Sequence, residues 1–301
     1  MTQVETDLAV ALPDVDALVR GLDAAGYLAG EPLATALFLA VRMGQPILLE
    51  GEPGVGKTEA AKALATVLST TLVRLQCYEG LTSAEALYEW NYPRQLLGIR
   101  LAEARGVVLG DADLFGAEYL LPRPLLAAID HPGPRPAVLL IDEVDRADDE
   151  FEAFLLELLA ESAVTIPELG TRRAVLPPVA VLTSNRTRDL HDALKRRCLY
   201  HWIEHPDSAR VAQIIRRRVP GVADWLADQV AGAVARMRGL DLHKPPGVAE
   251  AISWANALGV LGVDTLDAAA VQRTASSVLK YQEDWQTVRR AGLATVVRGD
   301  G

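Results

Sequence analysis

The apolar positions of this chain follow two rhythms. Pro46-Ile47-Leu48-Leu49, Ala137-Val138-Leu139-Leu140-Ile141 and Pro178-Val179-Ala180-Val181-Leu182 are unbroken apolar runs. Short runs with no polar face predict strands of a parallel sheet covered on both sides. Residues 71–76 predict a second strand after the first, and a further short strand follows Lys195-Arg196-Arg197. Elsewhere the spacing is helical. Ala60, Leu64, Val67 and Leu68 share a face, as do Phe151, Phe154, Leu155, Leu158 and Leu159 within residues 148–161. Residues 33–41, which include Thr35, reach about half the length of a membrane span and predict a buried helix. After Pro206, residues 208–218, 223–238, 248–258 and 265–281 predict successive helices broken by prolines and glycines. The expected fold class is α/β: an N-terminal helical segment over 1–30, a parallel-sheet domain over 31–206 and a smaller all-helical domain over 207–301.

The first strand runs directly into Gly51-Glu52-Pro53-Gly54-Val55-Gly56-Lys57-Thr58-Glu59, which fits GxxxxGK[ST] between a strand and a helix. Glycines let such a loop turn its N–H groups onto an anion, and the following helix N-terminus adds partial positive charge. Gly51, Pro53, Gly54, Val55, Gly56, Lys57, Thr58 and Glu59 are therefore the expected contacts to a nucleoside triphosphate, ATP. Lys57 would reach the β- and γ-phosphates, and Thr58 would offer its hydroxyl to Mg²⁺.

Hydrolysis needs an acidic metal ligand and a base at the end of another buried strand. Asp142 and Glu143 follow the run ending at Ile141, which puts them at the edge where open α/β sheets bind ligands. Asp142 is the expected Mg²⁺ ligand, and Glu143 the group that orients and deprotonates the attacking water. The run ending at Leu182 leads to Thr183-Ser184-Asn185. An uncharged amide there can bond both a phosphate and the water; as a bland alternative, Asn185 simply makes a turn. Arg197, with Arg196 second, is the expected cation for the charge of the transition state, against the alternative of a solvated basic turn.

Composition narrows the classes. The formal net charge of −10 argues against a protein that coats nucleic acid, because such affinity comes from clustered cations. Arg216-Arg217-Arg218 is a single basic triplet on a helix and reads as an interface or a solvated face. Cys77 and Cys198 lie far apart with no CxxC spacing, so they read as reduced thiols, Cys198 as a buried inert one despite its arginine neighbours. The first ten residues lack the basic start and apolar core of a signal peptide, and the expected setting is cytoplasmic, with no membrane span.

In order and spacing, "GEPGVGKTE", "LLIDEVDRA", "LTSNRTR" and "DALKRRCLYHW" resemble the AAA+ ATPases, and within them the MoxR family. The stretch "RLQCYEGLTSAEALYEWNYPRQ" is similar to the MoxR branch that accompanies carbon-monoxide dehydrogenase and other molybdenum hydroxylases. This resemblance implies a P-loop AAA+ domain with a helical lid, assembled as a homo-oligomeric ring, usually a hexamer. In such a ring Arg197 reaches the neighbouring subunit's γ-phosphate. It also implies a chaperone in metalloenzyme maturation, beside a partner with a von Willebrand factor A domain. One departure is plain: where the family often has an arginine at the start of the third lid helix, this chain has Pro246-Gly247-Val248, and Lys244 is the nearby cation that could substitute. The resemblance also places Tyr78, Tyr88, Trp90 and Tyr92 in an insertion that projects from the ring, where rings grip a client; as core, Tyr88 and Tyr92 would share one helical face. A nucleic-acid motor or loader would carry the same motifs, and so would a slow nucleotide-gated switch.

Overall fold

The computed structural model describes residues 12–108 and 110–298, so residues 1–11 of the expected N-terminal segment lie outside the described residues. Chain order is α1 (Val15–Ala24), α2 (Glu31–Met43), β1 (Ile47–Glu50), α3 (Lys57–Val67), β2 (Leu72–Gln76), α4 (Ser83–Leu87), β3 (Tyr88–Trp90) and α5 (Tyr92–Ala104). Then come α6 (Asp111–Leu114), β4 (Leu120–Pro122), α7 (Pro124–Ile129), β5 (Val138–Asp142), α8 (Asp149–Glu161), β6 (Ala163–Ile166), β7 (Gly170–Arg173), β8 (Val179–Ser184), α9 (Asp192–Arg197) and β9 (Leu199–Trp202). The remainder is helical: α10 (Ser208–Arg218), α11 (Asp224–Arg238), α12 (Val248–Val260), α13 (Ala268–Val278), α14 (Gln282–Ala291) and α15 (Leu293–Arg298).

Two compact units divide the chain, and they alternate along it. Of the described residues, the first takes 12–25, 29–50 and 58–202, and the second takes 26–28, 51–57 and 203–298. The first unit is built on a five-stranded sheet in the order β2-β5-β8-β1-β9, with every pair parallel. The apolar runs become its central strands because neither face meets water: every residue of β1, β5 and β8 is buried. Parallel register brings Gln76 opposite Asp142 and Glu50 opposite Ser184, so these polar ends share one edge. Helix ends follow local chemistry. Asp148 caps α8 by accepting from Phe151 N at 2.9 Å, and Gly44 closes α2 in a left-handed conformation.

Two small antiparallel sheets, the β3–β4 pair and the β6–β7 hairpin, complete this unit and are not expected from the apolar pattern. The first corrects the reading of the aromatic segment. Tyr88 and Tyr92 do not share a helical face: Tyr88 opens β3, whereas Tyr92 opens α5 after Asn91, whose side chain caps Arg94 N at 3.1 Å. Trp90 is not a projecting ring. It is buried, edge-on to Tyr88 at 5.8 Å and to Phe115 at 5.1 Å between centroids, an arrangement that suits aromatic quadrupoles. Tyr78 and Tyr92 remain exposed.

The second unit contains the helices after residue 203 and packs around Trp254, whose indole N–H donates to Thr274 Oγ1 at 2.7 Å. Leu226, Val230, Val234 and Met237 supply one buried face of α11 at helical spacing. The helix expected over 265–281 is the shorter α13, because Asp267 caps it by accepting from Ala270 N at 2.7 Å. Among the described residues no helix is long and apolar enough to cross a membrane.

Candidate active site

Asp142, the last residue of β5, is the hub of the sheet edge in the first unit. Its side chain is buried and engages three neighbours. Thr58 Oγ1 donates to Oδ1 at 3.0 Å, and Thr183 Oγ1 donates to the same oxygen at 2.6 Å. Arg74, from the adjacent strand β2, donates to Oδ2 from Nε at 3.0 Å and from Nη2 at 2.6 Å. A carboxylate taken this far from water is stable only when its lone pairs are occupied, and here they are. Thr58 is the residue that the loop motif assigns to Mg²⁺, so two hard oxygen donors expected on one metal lie within hydrogen-bond distance. That donor set suits Mg²⁺, which is held through one or two protein oxygens together with phosphate and water.

Glu143 has φ 55° and ψ 50°, the left-handed region that glycine favours. Its N–H donates to Thr183 Oγ1 at 2.9 Å, so Thr183 ties Glu143 and Asp142 together. The carboxylate accepts from Arg146 Nη1 at 3.3 Å. Such a conformation costs on the order of 1–3 kcal/mol and turns the chain sharply at the end of the strand.

Asn185 follows β8. Its backbone N–H donates to Asp145 Oδ1 at 3.2 Å, and Thr187 donates to Oδ2 from its N–H at 2.8 Å and from Oγ1 at 2.7 Å. Asp145 thus fixes the loop that carries Asn185. Arg188 fastens the same loop to Ala147 through Nε at 3.0 Å and forms an ion pair with the fully buried Glu152. Arg196 and Arg197 occupy the last turn of α9, and both are exposed.

The glycine loop, residues 51–57, is described with the second unit. Lys57 is buried and folds back on the loop, donating from Nζ to Gly51 O at 2.6 Å and Glu52 O at 2.9 Å. A Cβ on Gly51 would collide with the carbonyl oxygen of Ile203, a close approach that only glycine permits. Gly54 (φ 81°) and Gly56 (φ 99°) take conformations other residues rarely adopt. Val55 is buried and Pro53 exposed, while Glu59 pairs with Lys62 at 2.7 Å on α3. Val248 N–H donates to Gly54 O at 3.2 Å, and Glu250 accepts from Gly247 N–H at 2.9 Å. The segment Pro246-Gly247-Val248, which lacks the expected arginine, is therefore fastened to the loop by its backbone. Lys244 is exposed.

Both cysteines are buried. Burial pushes Cys77 up to about 12, with the charges of Asp142, Asp145 and Glu143 adding to it. Cys198 also rises to about 12 through burial, against a smaller lowering by Arg197.

Residues 46–198 match the family model described as AAA domain (dynein-related subfamily). The chain belongs to this family. As an AAA domain protein it binds nucleotide, and it is an AAA+ ATPase. Among curated proteins none matches the sequence. Solved structures similar to this AAA+ chain include a mutant of Thermotoga maritima RuvB, at 20% identity and a TM-score of 0.48, covering 81% of this chain and 66% of that one. The Thermotoga maritima RuvB Holliday junction branch migration motor is similar at 21% identity and a TM-score of 0.46, covering 82% and 67%. The chain thus spans about two thirds of the length of these structures, slightly less for the first.

The motif residues Lys57, Thr58, Asp142 and Glu143 were legible in the sequence. Arg74, Thr183 and Asp145 were not, since each acts through a partner at least 40 positions away.

Proposed function

We propose that this AAA+ ATPase is a MoxR-type, ring-forming machine that spends ATP on remodelling a protein client during metalloenzyme maturation. The observation that carries the ATPase mechanism is the hydrogen bond from Thr58 to a buried Asp142, with Glu143 next in the chain. In this reading the 51–57 loop cradles the phosphates, Lys57 leaves its own carbonyls for them, and Thr58 and Asp142 hold Mg²⁺. The metal supplies charge neutralisation at the phosphates. Glu143 takes the proton of the attacking water, Asn185 orients that water, and Arg197, or Arg196 beside it, acts on a neighbouring subunit of a homo-oligomeric ring. Residues 207–301 form the lid.

The protein client is supported by the acidic balance of the chain and by the MoxR-like wording of residues 74–95. A von Willebrand factor A domain partner and a molybdenum hydroxylase client belong to the same reading. Exposed Tyr92, Leu96 and Leu97 on α5 offer an apolar contact surface, in place of the buried Trp90.

Two experiments test it. ATP turnover at concentrations that allow assembly should exceed that of Lys57→Ala. It should fall in Arg197→Ala and return when that variant is mixed with Glu143→Gln; no turnover above the Lys57→Ala control would refute the catalytic assignment. Tagged Glu143→Gln, which stalls with ATP bound, should capture a metalloenzyme subunit or a von Willebrand-type partner from host lysate that Lys57→Ala does not. Capture that disappears on nuclease treatment would replace the protein client by nucleic acid.

A further inference from the structure

Three buried polar atoms of the second unit have no hydrogen-bond partner among the described residues, and His205 Nδ1 and Arg238 Nη2 are two of them. Arg216 Nε also lacks a hydrogen bond, but it sits 3.0 Å from the Asp224 carboxylate, so its charge is answered. The first two form no ion pair among the described residues, and Glu250 acts on them only through space.

Arg238 closes α11. Its Nε donates to Pro246 O at 2.7 Å, and Nη1 lies 3.5 Å from Pro206 O. Among the described residues no carboxylate is bonded to this guanidinium, and the nearby Glu250 is taken up by Gly247 N–H. Arg238 is half-buried, arginine stays protonated inside proteins, and a charge shielded from water normally fills its donors. This one holds a spare pair of N–H bonds. Burial lowers the basicity of Arg238, against the pull of Glu250.

His205 sits in the same electrostatic neighbourhood. Burial and then Arg238 hold its pKa below the usual value; Lys57 acts in the same direction, while Glu52 and Glu250 oppose it. The imidazole therefore senses both Arg238 and the lysine of the phosphate loop. The chain joining these groups is fastened to that loop: Arg238 holds the carbonyl of Pro246, Val248 N–H holds Gly54 O, and a Cβ on Gly247 would lie 3.1 Å from Pro53 O.

We propose that Arg238 Nη2 and His205 Nδ1 form an anion contact for the phosphoryl oxygens of the nucleotide held on the 51–57 loop. The lid cation that the sequence leaves out at Pro246-Gly247-Val248 is then supplied from the last turn of α11, not by exposed Lys244. This assignment rests on the nucleotide reading of the loop. A phosphate oxygen accepts from both nitrogens, with His205 in its Nδ1–H tautomer, and satisfies the two atoms that the protein leaves open.

The test is equilibrium binding of a non-hydrolysable ATP analogue to the full chain by calorimetry. Arg238→Gln and His205→Phe should each weaken binding by about tenfold or more, the scale of a lost charge-assisted hydrogen bond, while Lys244→Ala should leave it unchanged. His205→Phe is the cleaner variant, because the Nδ1 atom it removes is bonded to nothing among the described residues. In the wild type, the His205 pKa followed by NMR should rise when the analogue binds, since negative charge arrives beside the ring. Wild-type affinity in both variants, with an unmoved histidine pKa, overturns the assignment and leaves the loop reading intact. A wild-type protein that binds no analogue would refute the loop reading, and this one with it.

Discussion

Asp145 is almost fully buried and is held by three donors from the loop that follows β8. An amide offers only one acceptor atom where the carboxylate offers two, so Asp145→Asn turns one face of the group against its donors. The expected cost is on the order of 2–3 kcal/mol, read from urea denaturation. Turnover should fall with it, because Asn185 loses its anchor, while nucleotide affinity holds. Two histidines contribute to the acid limb of stability. His201 and His205 have pKa values held below the ordinary value, chiefly by burial. Such groups stay neutral in the fold while the unfolded chain takes up protons, so their contribution is present above about pH 6.5 and is lost as pH falls through the folded values. The melting temperature should be flat around pH 7–8 and decline below about 6.5, and His205→Gln should shallow that decline. The phosphate-loop motif could be read from the sequence because its residues are close in the chain. It hid Asp145, Thr183 and Arg74, because their meaning lies in contacts that only the sheet creates.

At the scale of elements, legibility tracked burial. β1, β5 and β8 are covered on both faces and announce themselves as unbroken apolar runs. In the hairpin, β6 interrupts its apolar residues with Thr165 and β7 carries no apolar side chain, and three residues each suffice for β3 and β4. The aromatic segment shows the consequence. Around Trp90 the sequence reading offers a helical face shared by Tyr88 and Tyr92, and pairing with β4 makes Tyr88–Trp90 a strand instead. Removing the indole opens a cavity between Tyr88 and Phe115. Trp90→Ala should therefore cost about 3–5 kcal/mol in chemical denaturation, whereas Tyr92→Ala, at an exposed ring, should stay within about 0.5 kcal/mol. The same contrast should appear with the thiols. Cys77 and Cys198, both pushed up to about 12, should resist a thiol reagent at pH 8 in the folded protein and react fully once it is unfolded.

Over the whole molecule, the division into strands-with-helices and helices alone was readable from where the apolar runs stop, near Pro206. The alternation of the two units was not, because nothing in the run of residues 51–57 says that this loop groups with residues 203–298 while both its neighbours group with the sheet. Ile203 presses on Gly51, and Val248 holds Gly54. A gene cut after codon 202 would keep every motif residue and still lose the walls of the loop. The resulting fragment should keep most of the sheet and gain little thermal protection from ATP, compared with a clear gain in the full chain; equal protection would show that the loop holds its shape alone. For anyone building fusions, reporters or minimal versions of this protein, the practical unit is therefore the uncut chain: a shortened version that looks whole on a motif map would be missing the clasp.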